Sequence, residues 1–284
     1  MDFLDTREDT RDERPPASAN ASVFDTDTEV RAVSAGEYAA ELSPRWNSAP
    51  GLPNGGYQLA LCTRAMAEAV PGYPDPLVVA ATFLRPASLG PATIAVETVR
   101  AGRTVATAEA RLNQDGKEVV RAVATFGDLA AATGPTLERG EPPALPPPHE
   151  CTGFTEAALA FGAAIAEQVD YRVPELPGWL RGEPSGRTEA GFWMRLADGR
   201  DADPLSLVAL VDAAAPVVAD AGYLGSSTIQ LTVHVRRRPA SGWLACRAVT
   251  RHLIDGYHEE DFEIWDAEGR LVAQGRQFAV VGRR

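Results

Sequence analysis

The same order of elements occurs twice in this chain, on either side of a proline-rich stretch, GEPPALPPPHE, at 140–150. That stretch reads as an extended connector, because consecutive prolines favour an open backbone and cannot join a ladder. Before it, NGGYQLALCTRAMAEAV predicts a glycine-led helix. It is followed by a strand ending in Arg-Pro, VVAATFLRPAS, and by the strands ATIAVETVRAG, TVATAEARLNQDG and KEVVRAVATFGD. After it, LSLVALVDAAAPVVADAG predicts a helix over 205–222, then come STIQLTVHVRRRPAS, WLACRAVTRHLIDG, YHEEDFEIWDAEG and RLVAQGRQFAVVG. The strands alternate with period two and turn at Gln114-Asp115-Gly116 and Ala267-Glu268-Gly269. Both helices are apolar almost all round, as expected of a helix enclosed by a sheet rather than laid on a surface. The fold class expected is therefore α+β: two repeats, each an antiparallel sheet wrapped around a long central helix. The expected boundaries are a mobile charged tail at 1–20, a first repeat at 21–135, a connector at 136–152 and a second repeat at 153–284.

Composition narrows the function classes. The 284 residues are 45% apolar and 23% charged, as in a soluble globular protein, and the net charge of −12 argues against nucleic acid or an anionic membrane as partner. The start, MDFLDTREDTRDERPP, lacks the basic and apolar segments of a signal peptide. Cys62, Cys151 and Cys246 form no C-x-x-C and read as free thiols in a reducing cytoplasm, with Cys62 a buried, inert thiol rather than a nucleophile. The four histidines show no metal-ligand spacing, and the run around His258, Glu259, Glu260 and Asp261 is expected at a solvated hairpin end. No metal and no cofactor are expected.

One carboxylate interrupts the second apolar helix. Asp203-Pro204 supplies a cap and a first-turn proline, Gly222 a stop, and Asp212 sits between them. Pro216 has no N–H to bond the Asp212 carbonyl, so the turn at the acid is loosened. Asp212 is either a helix-bend residue facing water or a functional acid.

The order of these motifs resembles the hotdog fold. The two-in-one arrangement is similar to the acyl-CoA thioesterase II type, a double hotdog, over 24–281. The segments that carry the likeness are GLPNGGYQLAL, TFLRPASLG and LVAQGRQFAV. The resemblance implies an acyl-CoA or other acyl thioester as substrate. It also implies an Asp, a Thr and a Gln that hold the attacking water: Asp212, Thr228 and Gln277 here. Thr232, taken to share a strand face with Thr228, is the reserve candidate. An Asp can accept the water's proton while a hydroxyl and an amide orient it, so no nucleophilic side chain is needed. A G-x-S-x-G elbow is absent.

Aligning the repeats by their glycines and Arg-Pro corners puts Thr63, Ala124 and Pro76 at the places of Asp212, Gln277 and Thr228. The first half therefore lacks the water-holding set. It keeps Asn54-Gly55-Gly56, whose helix-start amides could polarise the thioester carbonyl as an oxyanion and substrate-binding site, or simply make a tight turn. The expectation is one composite site built by both halves. Arg236, Arg237 and Arg238 either meet coenzyme A phosphates or form a solvated strand end. Trp46, Tyr57 and Trp193 line an acyl channel or belong to the core. A non-catalytic acyl-thioester binder and an enoyl-CoA hydratase-like lyase are the alternative readings; the lyase is expected to pair its Asp with a His, which LVDAAAPVV lacks. Two fused repeats already supply a pseudo-dimer, and a homo-oligomer stays compatible with that.

Overall fold

The computed structural model describes residues 22–48 and 52–282, so the segment 1–20 read as a tail lies outside it. The first half runs through a short helix α1 (Val23–Asp27), strands β1 (Arg31–Ser34) and β2 (Glu37–Leu42), and a two-residue ladder of β3 (Asn47–Ser48) with β4 (Leu52–Pro53). Helix α2 (Gly55–Ala69) follows, then strands β5 (Asp75–Phe83), β6 (Gly90–Ala101), β7 (Ala106–Gln114) and β8 (Lys117–Gly127). The second half has α3 (Thr155–Ala160), β9 (Val169–Arg172), β10 (Glu189–Leu196) and α4 (Pro204–Leu210). It ends with β11 (Ser226–Val235), β12 (Leu244–Val249), β13 (Leu253–Ile254), β14 (Tyr257–Trp265) and β15 (Leu271–Val281).

The strands form one continuous antiparallel sheet in the order β1-β2-β6-β7-β8-β5-β11-β15-β14-β12-β10-β9. Read inward from either edge, the order is the same: a leading pair, a meander, then the strand that follows the helix. The halves meet where β5 pairs β11, from Thr82 opposite Gln230 to Val78 opposite His234. The leading pairs β1–β2 and β9–β10 are additions to the predicted plan. Their sequences alternate weakly, and β1 is exposed at all four residues.

Helix α2 forms as expected. Asn54 caps it by accepting from the Tyr57 N–H at 3.0 Å, and its flanks are buried under β5–β8. The second helix is shorter than predicted: it starts with an Asp203–Ser206 capping box and ends at Leu210, not near Gly222. Beyond Leu210 the bonds tighten, with Asp212 N–H donating to Ala209 O and Ala213 N–H to Leu210 O, both at 3.2 Å. Pro216 then takes an extended ψ of 138°, and only a 3-10 turn, Val217–Ala219, follows. A proline removes one helical bond and disfavours the helical conformation in the residue before it, so the segment from Asp212 leaves the helix.

The proline-rich stretch enters no strand. It lies against the outer side of the second half, where Glu141 O accepts from Arg247 Nη2 at 3.1 Å and Pro146 O from Trp193 Nε1 at 2.8 Å. Trp46 and Tyr57 are buried and stack with centroids 5.5 Å apart. Their polar ends are held by Asp27, so they belong to the core. Cys62 and Cys246 are buried free thiols, and burial pushes the Cys62 thiol up to about 12. Among the described residues no helix is long and apolar enough to cross a membrane.

Within the arginine cluster, Arg238 ties the second half to the first, and Arg237 ties it to the connector. Arg238 forks onto Asp75 of β5, with Nε–Oδ1 at 3.0 Å and Nη2–Oδ2 at 2.9 Å, and Arg237 pairs with Glu138. Asp75 is 3% exposed and also accepts from Leu129 N–H at 2.8 Å. Removing one partner of a fully buried pair costs about 3–5 kcal/mol. Because the Arg238 side chain is half open to solvent, Arg238→Met is expected to destabilise the fold by about 1–2 kcal/mol in denaturant unfolding. An unchanged midpoint would show that the pair does not tie the halves together.

Candidate active site

The start of α2 meets the chain at the end of α4 at Ala209 and Asp212. Pro216 leaves the Asp212 carbonyl without its helical donor, and Asn54 Nδ2 of the first half takes it at 2.7 Å. The same amide reaches Asp212 Oδ2 at 3.1 Å, and Gly56 N–H donates to that oxygen at 2.7 Å. The non-helical segment is pinned on two further sides: Tyr171 OH donates to Ala213 O at 2.6 Å, and Val217 N–H donates to Glu260 Oε2 at 2.7 Å. Every polar group named here is therefore partnered across elements, which is what allows irregular backbone inside the protein.

Gly56 is required by this meeting, and Gly55 eases it. A Cβ on Gly56 would lie 2.4 Å from Ala209 O, and one on Gly55 would lie 2.9 Å from Asp212 Oδ2 and from Phe83 Cζ. The expectation that these amides lie open for an oxyanion is corrected at Gly56. Its N–H is given to the Asp212 carboxylate, because a charged acceptor is the best partner for a free amide at a helix start. Asp212 itself keeps partial exposure. Burial of its carboxyl pushes the pKa up to about 6, against the lowering pull of the Gly56, Asn54 and Gly55 donors, so the Gly55 amide is also turned to Asp212.

A second group of predicted residues converges on β11 and β15. Thr228 Oγ1 donates to Gln277 Oε1 at 2.7 Å. Both face inward, and the reason is a bulge. Thr228 pairs with Ala279 and Gln230 with Phe278, so Ile229 is an extra residue and the alternation shifts by one. Thr228 thereby joins the inner face with Leu231 and Val233. Thr232, opposite Arg276, is thrown to the outer face, so the two threonines do not share a face as expected.

Glu260 was missed by the sequence reading and links the two groups. Gln277 Nε2 donates to Glu260 Oε1 at 3.2 Å, and the Asp212 charge lies close enough to help raise the Glu260 carboxyl. Burial is the larger cause, the Val217 N–H opposes it, and the result is about 8. The run HEED is therefore not a solvated end. His258 is 1% and Glu260 4% exposed, whereas the outer-face Asp261 pairs with Arg251 and Arg276. The signal was present: His258, Glu260, Phe262 and Ile264 alternate with period two. In the other half the rung equivalent to Glu260–Gln277 is Ala108 opposite Ala124, both buried, and Thr63 donates to its own helix at Leu59 O. The polar rung therefore occurs in the second half and not at the matching place in the first.

Comparison with known proteins agrees in both halves. Residues 42–127 match the family model of the acyl-CoA thioesterase N-terminal domain, and residues 141–281 match that of the acyl-CoA thioesterase C-terminal domain. The crystal structure of a candidate thioesterase II from Thermobifida fusca YX is 32% identical, with a TM-score of 0.81 over 92% of this chain and 98% of that one. A hot dog fold protein of unknown function from Alicyclobacillus acidocaldarius, 22% identical, superposes with a TM-score of 0.80 over 93% of this chain and 100% of that one, a likeness of fold alone. An uncharacterized protein of Mycobacterium tuberculosis is 29% identical over 269 residues, 86% of this chain and 90% of its own. With matches on both sides of the proline-rich stretch and a central sheet of the same form, the chain belongs to the acyl-CoA thioesterase family of the hot dog fold.

Proposed function

We propose that this protein is a double hotdog acyl-CoA thioesterase that cleaves a fatty acyl thioester to free acid and CoA, with 21–135 and 153–284 as its two repeats. The observation that carries the reading is the part-buried hydrogen-bonded pair Thr228–Gln277, with Gln277 bonded to Glu260 and the Asp212 carboxylate close enough to act on Glu260. The Thr228 proton is taken by Gln277, so the hydroxyl oxygen is left as an acceptor. A water between Thr228 and Asp212 donates one proton to each and keeps a lone pair for the carbonyl carbon. Its oxygen bonds to that carbon, Asp212 takes the proton, the C–S bond breaks, and the proton passes to the departing thiolate. The second Nε2–H of Gln277 is the donor we assign to the developing oxyanion.

Release of free thiol from acyl-CoAs of graded chain length tests the reading; binding without turnover would favour the non-catalytic alternative. The pH profile adds a sharper test. A general base works ionised, and the Asp212 carboxyl is held up at about 6, so kcat/KM is expected to fall about tenfold per pH unit below that value. A profile flat down to about pH 4, the range of an ordinary carboxylate, would remove Asp212 from the reaction.

A further inference from the structure

An amide has one donating and one accepting end, so its orientation must be set by something outside it. At Gln277 the neighbours are a hydroxyl, which can do either, and Glu260. Once ionised, which burial and the Asp212 charge delay until about pH 8, Glu260 accepts at both oxygens: Oε1 from Gln277 Nε2 at 3.2 Å and Oε2 from Val217 N–H at 2.7 Å. We propose that Glu260 is a positioning residue of the hydrolytic site, which fixes the Gln277 amide and with it the direction of the hydrogen-bond chain that ends at Thr228. The inference rests on reading Thr228 and Gln277 as the groups that hold the water.

The direction matters chemically. With Nε2 on Glu260, Oε1 faces Thr228 and takes its only hydroxyl proton. Thr228 then accepts from the water, and the lone pair of the water stays free to attack. With the amide reversed, Nε2 would donate to Thr228, whose proton would point at the water. The water would accept it with the lone pair that the attack needs. Glu260 also holds Val217 N–H, in the segment that leads away from Asp212, so one carboxyl ties the strand of Gln277 to the loop of the base. Where the chain builds no site, the rung is two alanines, Ala108 and Ala124.

Glu260→Gln keeps the shape but leaves one acceptor where two are needed, so its amide faces Gln277 with a donor and the chain reverses. Measured at about pH 9, where the parent Glu260 is ionised, the expected result is a kcat lower by about 10–100-fold with KM within about threefold, the signature of misorientation rather than lost binding. Combined with Gln277→Ala it should slow turnover no further than Gln277→Ala alone. The Gln277 side-chain amide resonance, identified by its loss in Gln277→Ala, should move in Glu260→Gln while the rest of the 15N spectrum is retained. A Glu260→Gln rate within about twofold of the parent, additive losses in the double variant, or an unmoved amide resonance would each overturn the proposal. Should Glu260→Gln fail to fold, Glu260→Asp, with both acceptors on a shorter arm, is expected to keep the resonance near its parent position; a displaced one would overturn it. If the parent hydrolyses no acyl-CoA, the functional reading falls, while the resonance still decides whether Glu260 orients Gln277.

Discussion

Asp212→Asn is expected to lower kcat by on the order of 10²–10⁴, the usual worth of a positioned general base, while KM changes far less. The substitution keeps the volume and can still present an oxygen to Gly56 N–H, which now donates to Oδ2 at 2.7 Å, so the meeting of the two halves should survive. What is lost is the ability to take a proton from water. Thr228→Val and Gln277→Ala should also slow turnover, and their losses should combine with that of Asp212→Asn less than additively, because the three groups hold one water. Thr63→Ala, in the half that builds no site, should change the rate little. Steady-state kinetics with a good acyl-CoA substrate, alongside a thermal melt of each variant, checks the set. An Asp212→Asn enzyme that turns over near the parent rate would return Asp212 to the reading of a solvated bend residue.

Gly56→Ala should damage both stability and activity. Its Cβ would sit 2.4 Å from Ala209 O and 2.9 Å from Asp212 Cβ, and the first of these belongs to backbone at the end of α4 that has no flexible way to yield. The helices must move apart, which costs about 1–3 kcal/mol by the usual measure of overpacking. The same movement shifts the carboxylate that Gly56 N–H holds, and a displacement of about 1 Å is enough to lower turnover about a hundredfold. Gly55→Ala is the informative partner. Its Cβ meets the ends of two side chains, Asp212 Oδ2 and Phe83 Cζ, which can rotate aside. It should lose activity with a smaller loss of stability. If Gly56→Ala melts with the parent, the close approach of the two halves at this point is not what positions Asp212.

Sequence by itself determined what is written in local periodicity. The Asn54-capped helix, the strands of each meander, their turns at Gly116 and Gly269, and the repetition of one plan are all legible there, because alternation and capping depend on residues a few positions apart. Asp212, Thr228 and Gln277 were named from the resemblance; the structure binds Thr228 to Gln277 and sets Asp212 against the other half. Four matters needed the tertiary structure. Pro216 loosens the turn at Asp212 by itself, but that the second helix stops as early as Leu210 goes with the partner its freed carbonyl finds in Asn54, distant along the chain. Thr228 rather than Thr232 faces inward, because one extra residue in β11 shifts the alternation, and a bulge is defined by the partner strand. Gly56 points its amide at a carboxylate of the other half. Glu260 is buried rather than solvated because β14 is flanked by β12 and β15 with its inner face turned to the core, and which face is inner depends on strands far away in sequence.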